Sequence, residues 1–245
     1  MCYNKIGMVC GEKAASVPIR KAEGKMGKFI VVDGLDGSGK NTQTRLLAAA
    51  LEEAGRKVIC LSYPRYGTAG AKPLEAYLSG GLGGKPGDTG AVPASVLFAV
   101  DRYLSYRTEW AEAYEKPDTV ILADRYTSAN AVHQLSKLPK EEWDSFLSWL
   151  WDFEFHKMGI PEPDQVIYLE VPPTVSLSLV EKRHEESGRT VDIHESDRSY
   201  MLRCYEAALY ASEKLGWTRV SCAPDGVMRC RSDIHDEIMK KLIAL

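Results

Sequence analysis

Residues 29–40 read FIVVDGLDGSGK, an apolar, β-branched run that passes directly into a glycine-rich turn ending in lysine. The part from Gly34 to Lys40 fits G-x-x-x-x-G-K, and apolar residues at helical spacing follow it. Strand, turn and helix in this order are the context in which that pattern binds phosphate. The glycines let backbone N–H groups converge on phosphate oxygens, the helix N-terminus adds positive potential, and Lys40 adds a full charge. The sequence therefore predicts a nucleotide-phosphate site here.

Strands and helices alternate along the rest of the chain. Besides residues 29–32, short apolar runs predict strands at 58–61, 120–123, 166–169 and 218–221. Helical spacing separates them, near 94–115, 140–157, 174–185, 196–215 and 232–243. Buried-type strands alternating with helices indicate a parallel sheet covered on both faces. We therefore predict an α/β fold of three layers around a five-stranded parallel sheet.

Composition excludes several classes of protein. The chain of 245 residues has 31 Lys+Arg and 34 Asp+Glu, so its formal net charge is −3. This balance argues against nucleic-acid binding by massed phosphate neutralisation. No apolar run reaches the ~18–20 residues that a membrane helix requires. The six cysteines form no C-x-x-C pair, so we expect free thiols and a reducing, cytoplasmic location.

Three segments are expected to lie outside the core. Residues 1–27 are charged and contain no apolar stretch, which indicates an N-terminal extension before a single domain at 28–245, and Met26 is an alternative start. The glycine-rich piece 79–90 is expected to be a surface loop. The stretch 182–194 is highly charged and poor in apolar residues.

The phosphate-loop pattern departs from the usual one directly after the lysine. Ser or Thr normally stands there and ligates Mg²⁺, whereas this chain has Asn41 followed by Thr42. The Asn41 amide oxygen and the Thr42 hydroxyl are both hard oxygen ligands, so either one is a candidate. Asp124 follows the third predicted strand, where a carboxylate faces the ligand crevice and can hold the metal directly or through water.

The helix near 94–115 is predicted to serve both core and ligand. Its core stripe is predicted to comprise Val96, Val100, Tyr103, Leu104 and Trp110. Phe98 and Arg102 are four residues apart and share another face. An aromatic ring with an arginine one turn away suits a planar base that stacks and accepts hydrogen bonds.

Five motifs together resemble the thymidylate kinases, in the P-loop nucleoside-monophosphate kinase group. They are GLDGSGKNTQT at 34–44, YPRYGT at 63–68, LFAVDRY at 97–103, DRYTSAN at 124–130 and PDQVIYLEVPP at 163–173. The resemblance implies a P-loop NTPase fold with a mobile lid at about 183–194, and a homodimer. It implies Mg²⁺-dependent transfer of phosphate from ATP to dTMP, giving dTDP for dTTP synthesis. The alternatives are a kinase for another nucleoside monophosphate and a nucleotide-binding relative with weakened catalysis.

The same resemblance implies roles for residues on the acceptor side. Phe98 stacks on thymine and Arg102 hydrogen-bonds its edge. Asn130 and His133 contact base and sugar, although His133 replaces a more typical aromatic residue. The acceptor phosphate is approached by Arg65, Tyr66 and Arg125, and Asp36 meets the sugar 3′-hydroxyl or organises the site.

On the donor side, the resemblance implies ATP binding by the whole loop. The residues concerned are Gly34, Leu35, Asp36, Gly37, Ser38, Gly39, Lys40, Asn41 and Thr42. Some members carry a catalytic arginine where this chain has Gly37, so here Arg183 or Arg189 of the lid is implied instead, beside Lys40 and Arg125. These assignments all require that residues 34–42 and Phe98 face one shared cavity.

Overall fold

A computed structural model describes residues 26–85, 87–179 and 198–244. Its strands are β1 Lys28–Gly34, β2 Lys57–Ser62, β3 Thr119–Asp124, β4 Gln165–Glu170 and β5 Thr218–Ser221. Its helices are α1 Lys40–Glu53, α2 Lys72–Leu78, α3 Ala91–Ser105, α4 Ala111–Tyr114, α5 Thr127–His133, α6 Trp143–Trp151, α7 (described over 173–179), α8 Arg198–Lys214 and α9 Arg231–Lys241. The five predicted strands are confirmed. Helices α2 and α5 were not predicted, because both are only seven residues long.

The strands form one parallel sheet in the order β2-β3-β1-β4-β5. Strand β1 is central, with β3 and β4 as its neighbours, and because these strands are parallel the carboxyl ends of all three meet at one edge. In open parallel sheets that edge is where ligands bind. No helix in the described ranges is long and apolar enough to span a bilayer.

Alternate residues of β1 supply two separate cores. Phe29 and Val31 pack into the larger core, which α5, α6 and α8 cover. Ile30 and Val32 point the other way, into a core covered by α1 and α9. This two-residue period is that of a strand with both faces buried. The predicted three-layer α/β fold is therefore confirmed.

The core stripe predicted for α3 is wrong except at Trp110, which is buried. Val96 and Val100 are only half-buried, and Tyr103 and Leu104 are 36 % and 38 % exposed. The reason lies on the opposite face of the helix.

Two charged residues of α3, Asp101 and Arg102, turn inward instead, because each finds a hydrogen-bond partner there. Asp101 accepts a 2.9 Å hydrogen bond from the backbone N–H of Arg65, and burial raises the pKa of this carboxyl. Arg102 pairs with a buried glutamate. Hydrophobic periodicity assigns charged residues to solvent and so misplaces such a helix.

The regions expected outside the core lie partly beyond the described residues. Residues 1–25 of the predicted extension fall there, as does the predicted lid at 183–194 with Arg183 and Arg189. The described part of the glycine-rich segment 79–90 forms turns, as expected. Of the cysteines, Cys60, Cys204, Cys222 and Cys230 are free thiols, as predicted.

Lys137 connects the glycine-rich segment 79–90 to α2 through two hydrogen bonds. Its ammonium donates to the Tyr77 hydroxyl of α2 at 2.9 Å and to the Thr89 carbonyl at 3.1 Å. Burial lowers its pKa from 10.5 to about 8, because a charge removed from water is destabilised. In the unfolded chain the group keeps its ordinary pKa, so the unfolded state binds more protons between about pH 8 and 10.5.

Stability should therefore rise with pH over that window through Lys137. We expect the free energy of unfolding of the wild type, relative to Lys137→Met, to increase by more than about 1 kcal/mol between pH 7 and pH 9.5. Urea unfolding at the two pH values measures it. Lys140→Met, three residues away at an exposed position, should show no such change, and a flat difference for Lys137→Met would contradict the assignment.

Candidate active site

A cavity of about 610 Å³ opens at the carboxyl edge of the sheet. Lys40 of the phosphate loop, Phe98 of α3 and Arg125 after β3 all line it. Other lining residues come from the turn after β2 and from α5 (Tyr63, Pro64, Tyr66, Ala129, Asn130 and His133). Phe98 and residues 36, 37 and 39–42 of the phosphate loop therefore face one cavity, as expected, whereas residues 34, 35 and 38 do not line it.

The phosphate loop owes its shape to two glycines with left-handed backbone. Gly37 has φ of 83° and Gly39 has φ of 85°, a region that costs other residues roughly 1–2 kcal/mol. A Cβ at Gly37 would also lie 2.7 Å from the carbonyl oxygen of Ser176 in α7. The Ser176 hydroxyl in turn donates to the carbonyl of Asp36. The loop is thus held against α7, with Gly39 preceding the N-terminus of α1.

Three charged groups meet at the centre of the cavity. The Asp36 carboxylate accepts from the Lys40 ammonium at 3.1 Å and from the Arg125 guanidinium at 2.5 Å, both on Oδ1. Burial alone would raise the pKa of Asp36, but the charges of Arg125 and Lys40 outweigh it and hold that pKa well below its usual range. Asp36 therefore stays ionised and holds two cations side by side.

The backbone aims Arg125 into this cluster. It is the one non-glycine residue with positive φ (67°) in the described ranges, and its N–H donates to the carbonyl of Val32 at 3.0 Å. Its Nη1 lies 3.7 Å from Asp33 Oδ1. Strained backbone of this kind persists where the surroundings determine it, and it clusters at functional sites.

His133 is a buried acceptor for Arg125. Arg125 Nη1 lies 3.1 Å from His133 Nε2, and because a guanidinium only donates, Nε2 must carry the lone pair. The imidazole proton then sits on Nδ1, 3.3 Å from the Tyr200 hydroxyl of α8. Tyr200 donates its own proton to the His133 carbonyl at 3.1 Å. His133 thus connects Arg125 to α8.

The oxygens at the sheet edge suit a small, hard cation. Asp124 lines the cavity, and its Oδ1 is buried with no hydrogen-bond partner. Burial raises the pKa of Asp124, against the opposing effect of Lys40 and Arg125. Asn41 and Thr42 line the same cavity at the start of α1. The described ranges contain no cluster of three or more His, Cys, Asp and Glu arranged for a metal, so the candidate donors are one carboxylate, an amide and a hydroxyl.

The wall opposite the phosphate loop carries the predicted pyrimidine residues. Phe98 is half-buried and meets the Tyr77 ring edge-on, with centroids 6.2 Å apart. Arg102 is 1 % exposed and forms a two-pronged ion pair with Glu154, through Nε at 2.7 Å and Nη2 at 2.5 Å. Asn130 is buried beside them. Arg102 therefore lies at the wall but is not free to swing into the cavity.

Arg65 and Tyr66, predicted at the acceptor phosphate, differ in their placement. Tyr66 lines the cavity and is largely exposed. Arg65 does not line it, because its guanidinium pairs with Glu109 of the turn that follows α3. The structure brings the other predicted residues of the described ranges to the cavity or its loop.

Two residues were missed by the sequence analysis. Gln134 lines the cavity, and its side-chain oxygen and nitrogen are both buried without a hydrogen-bond partner, which makes it a candidate ligand contact. Glu154 is fully buried behind the wall. Gln134 directly follows His133, which was predicted as a site residue. Its position shortly after the DRYTSAN motif at 124–130 was therefore the signal that could have indicated it. Glu154 lies among polar and aromatic residues, and no sequence pattern there indicates a buried glutamate.

Comparison with known proteins gives consistent results. The family model described as thymidylate kinase matches residues 32–217. Thymidylate kinase from Mycobacterium tuberculosis is 30 % identical over 193 residues, which cover 77 % of this chain and 87 % of that protein. A probable thymidylate kinase from Thermococcus gammatolerans is 28 % identical, with 74 % and 84 % covered. The solved structure of thymidylate kinase from Candida albicans shares the fold, with a TM-score of 0.63 at 17 % identity, covering 88 % of this chain and 91 % of that one.

The packing of the phosphate loop against α7 predicts the effect of adding one methyl group. Gly37→Ala should lower kcat/KM for the nucleotide by at least about tenfold, because the new Cβ meets the Ser176 carbonyl and displaces the loop. Gly55→Ala is the matched control, since Gly55 has φ of 80° but nothing within 4 Å of a built Cβ. It should cost roughly 1–2 kcal/mol of stability and leave turnover unchanged. Equal turnover in the two variants would show that the contact with α7 is unimportant.

Proposed function

This chain belongs to the thymidylate kinase family and phosphorylates dTMP with ATP as donor, and we propose how the residues of the cavity divide that work. The observation that carries the proposal is the shared cavity, which residues of the phosphate loop line together with Phe98, Arg102 and Asn130. No observation favours another nucleoside monophosphate or an inactive relative.

The phosphate loop binds ATP. Backbone N–H groups over 34–42 and the N-terminus of α1 surround the β- and γ-phosphates, and Lys40 contacts their oxygens. In this structure Lys40 is held by Asp36 and by the carbonyl of Leu35. It therefore already lies over the loop before ligand enters, which lowers the cost of positioning it.

The opposite wall binds dTMP. The thymine ring stacks on Phe98, with Arg102, Asn130 and the unpaired amide of Gln134 at its edge. His133 lies at the sugar. Arg125 holds the acceptor phosphate and Asp36 the sugar hydroxyl, while Tyr66 approaches from the open side. Arg65 would join the acceptor phosphate only after releasing Glu109.

The reaction is a direct transfer between two bound anions. An oxygen of the dTMP phosphate bonds to the γ-phosphorus of ATP, the bond to the β–γ bridging oxygen breaks, and ADP leaves with that electron pair. A phosphate monoester has its second pKa near ~6, so at neutral pH the acceptor is largely a dianion and no general base is required. The work of the protein is alignment and neutralisation of charge.

Mg²⁺ is proposed as the resident cofactor, because the orphaned Asp124 oxygen and the oxygens of Asn41 and Thr42 suit a hard cation. When bound, it neutralises charge on the β- and γ-phosphate oxygens. Asp124 would hold it directly or through water, and either Asn41 or Thr42 would supply the further protein ligand.

We further propose a cytoplasmic homodimer, with Arg183 or Arg189 supplying the catalytic arginine from outside the described residues. The dimer is supported by the exposed apolar side chains of α3, which are Val92 (46 % exposed) near its start and Tyr103 and Leu104 near its end. A second copy of the chain would cover this face. The free thiols support the cytoplasmic location.

Steady-state turnover with ATP and a panel of nucleoside monophosphates tests the activity. We expect dTMP to lead the panel, and Lys40→Met to reduce kcat by about 10²–10³-fold, because charge stabilisation at the transferring phosphate is lost. Lys57→Met is the control, since Lys57 is exposed at the opposite end of β2. Preference for another monophosphate, or full activity of Lys40→Met, contradicts the proposal.

The metal site is tested by titrating Mg²⁺ at fixed ATP. Asp124→Asn should raise the Mg²⁺ concentration for half-maximal rate by at least about tenfold, because a charged ligand becomes neutral. Asn41→Ala and Thr42→Val distinguish the two remaining candidates, and only the true ligand should shift the titration. Asp118→Asn, at an exposed position directly before β3, is the matched control. An unshifted titration for Asp124→Asn would exclude Asp124 as a ligand.

A further inference from the structure

The cavity wall that contains Phe98, Arg102 and Asn130 is called the pyrimidine wall below. Glu154 reaches this wall because α6 continues into a π-helical turn, Asp152–Lys157. Such turns accommodate an extra residue in a helix and are frequent at functional sites. Asp152, His156 and Lys157 of this turn are exposed, whereas Glu154 is 0 % exposed. The turn thus directs one carboxylate into the protein, between α3 and α5.

The carboxylate of Glu154 accepts four hydrogen bonds from the residues of that wall. Arg102 donates from Nε at 2.7 Å and from Nη2 at 2.5 Å. Thr127 donates its hydroxyl at 2.8 Å, and Asn130 donates from Nδ2 at 3.1 Å. An ionised carboxylate can only accept, so every neighbour must present a hydrogen to it.

This requirement decides which way the Asn130 amide points. Its Nδ2 donates both to Glu154 and to the Ser95 carbonyl, the latter at 3.2 Å, so both amide hydrogens are used. No donor in the described ranges reaches Oδ1. Asn130 lines the cavity, and the end left for a ligand is therefore an acceptor. Rotating the amide by 180° would place Oδ1 against two acceptors.

The same contacts leave two N–H groups of Arg102 available as hydrogen-bond donors. Of its five N–H groups, Nε–H and one on Nη2 go to Glu154, and one on Nη1 goes to the Tyr126 carbonyl at 3.4 Å. One N–H on each Nη remains. The wall therefore presents an acceptor, Asn130 Oδ1, together with donors on Arg102.

We propose that Glu154 is a positioning residue that determines pyrimidine specificity by fixing this hydrogen-bond polarity. The inference rests on the proposed function. A thymine or uracil ring offers N3–H, a donor, beside the O4 acceptor, and it complements the wall. Cytosine offers N3, an acceptor, beside the 4-amino donor, and it opposes the wall at both atoms. Glu154 touches no substrate and acts through Asn130 and Arg102.

The test compares kcat/KM for dTMP, dUMP and dCMP in the wild type and in Glu154→Gln. The new amide nitrogen must donate, so the Asn130 amide is no longer held in one orientation. We expect the dTMP-to-dCMP ratio to fall at least about tenfold, because mismatched buried polar groups dominate such discrimination. The dTMP-to-dUMP ratio should stay unchanged, since these bases share the edge and differ only in the 5-methyl group.

The controls separate specificity from a general structural effect. Glu162→Gln, the same change at a glutamate that accepts an exposed bond from the Trp151 indole, should alter neither ratio. If Glu154→Gln does not fold by circular dichroism, Glu154→Asp keeps the charge but withdraws it by one methylene, and the same fall in the dTMP-to-dCMP ratio is expected.

The outcomes distinguish this inference from the proposed function. A wild type without dTMP turnover overturns the proposed function. A wild type active on dTMP, with a folded Glu154 variant whose dTMP-to-dCMP ratio is unchanged, overturns the inference alone. A fall in kcat/KM that is equal for all three substrates also overturns it, because it indicates a structural role only.

Discussion

The Asp36 carboxylate, held between Lys40 and Arg125, is the interaction on which the site depends. Two cations this close would repel each other strongly in a partly buried setting, where the effective dielectric is well below that of water. Asp36 keeps both in place before any phosphate arrives. Two polyanionic ligands can then enter a cavity where these two positive charges are already positioned, which lowers the reorganisation that phosphoryl transfer requires.

The fold determines how this cluster is assembled. Asp36 and Lys40 follow β1 and Arg125 follows β3, and these strands are adjacent although about ninety residues separate them along the chain. The parallel register brings their carboxyl ends to one level, so side chains from the two turns meet without long loops. The left-handed backbone at Arg125 then directs its guanidinium across to Asp36. His133 and Tyr200 extend the same contact to α8.

The strands and the phosphate loop were predictable from the sequence because each leaves a local pattern, whereas the shared cavity was expected from the resemblance to thymidylate kinases. β-branched runs mark the strands, and glycine spacing marks the loop. The inward face of α3 was not predictable in this way. Asp101 and Arg102 are charged, and their burial depends on the backbone of Arg65 and on Glu154, which lie far away in sequence. Periodicity carries no information about such partners, and neither does it reveal a π-helical turn.

The buried polar groups of the pyrimidine wall carry a cost that an apolar wall would avoid, since desolvating Arg102 and Glu154 offsets much of their attraction. An apolar wall of the same shape would accept any planar ring of suitable size, because stacking on Phe98 does not distinguish one pyrimidine edge from another. Directional groups distinguish the edges only if they are themselves fixed, and a carboxylate that accepts four hydrogen bonds fixes them. The buried charge pair therefore contributes little to stability, and it provides selectivity between bases of nearly equal size.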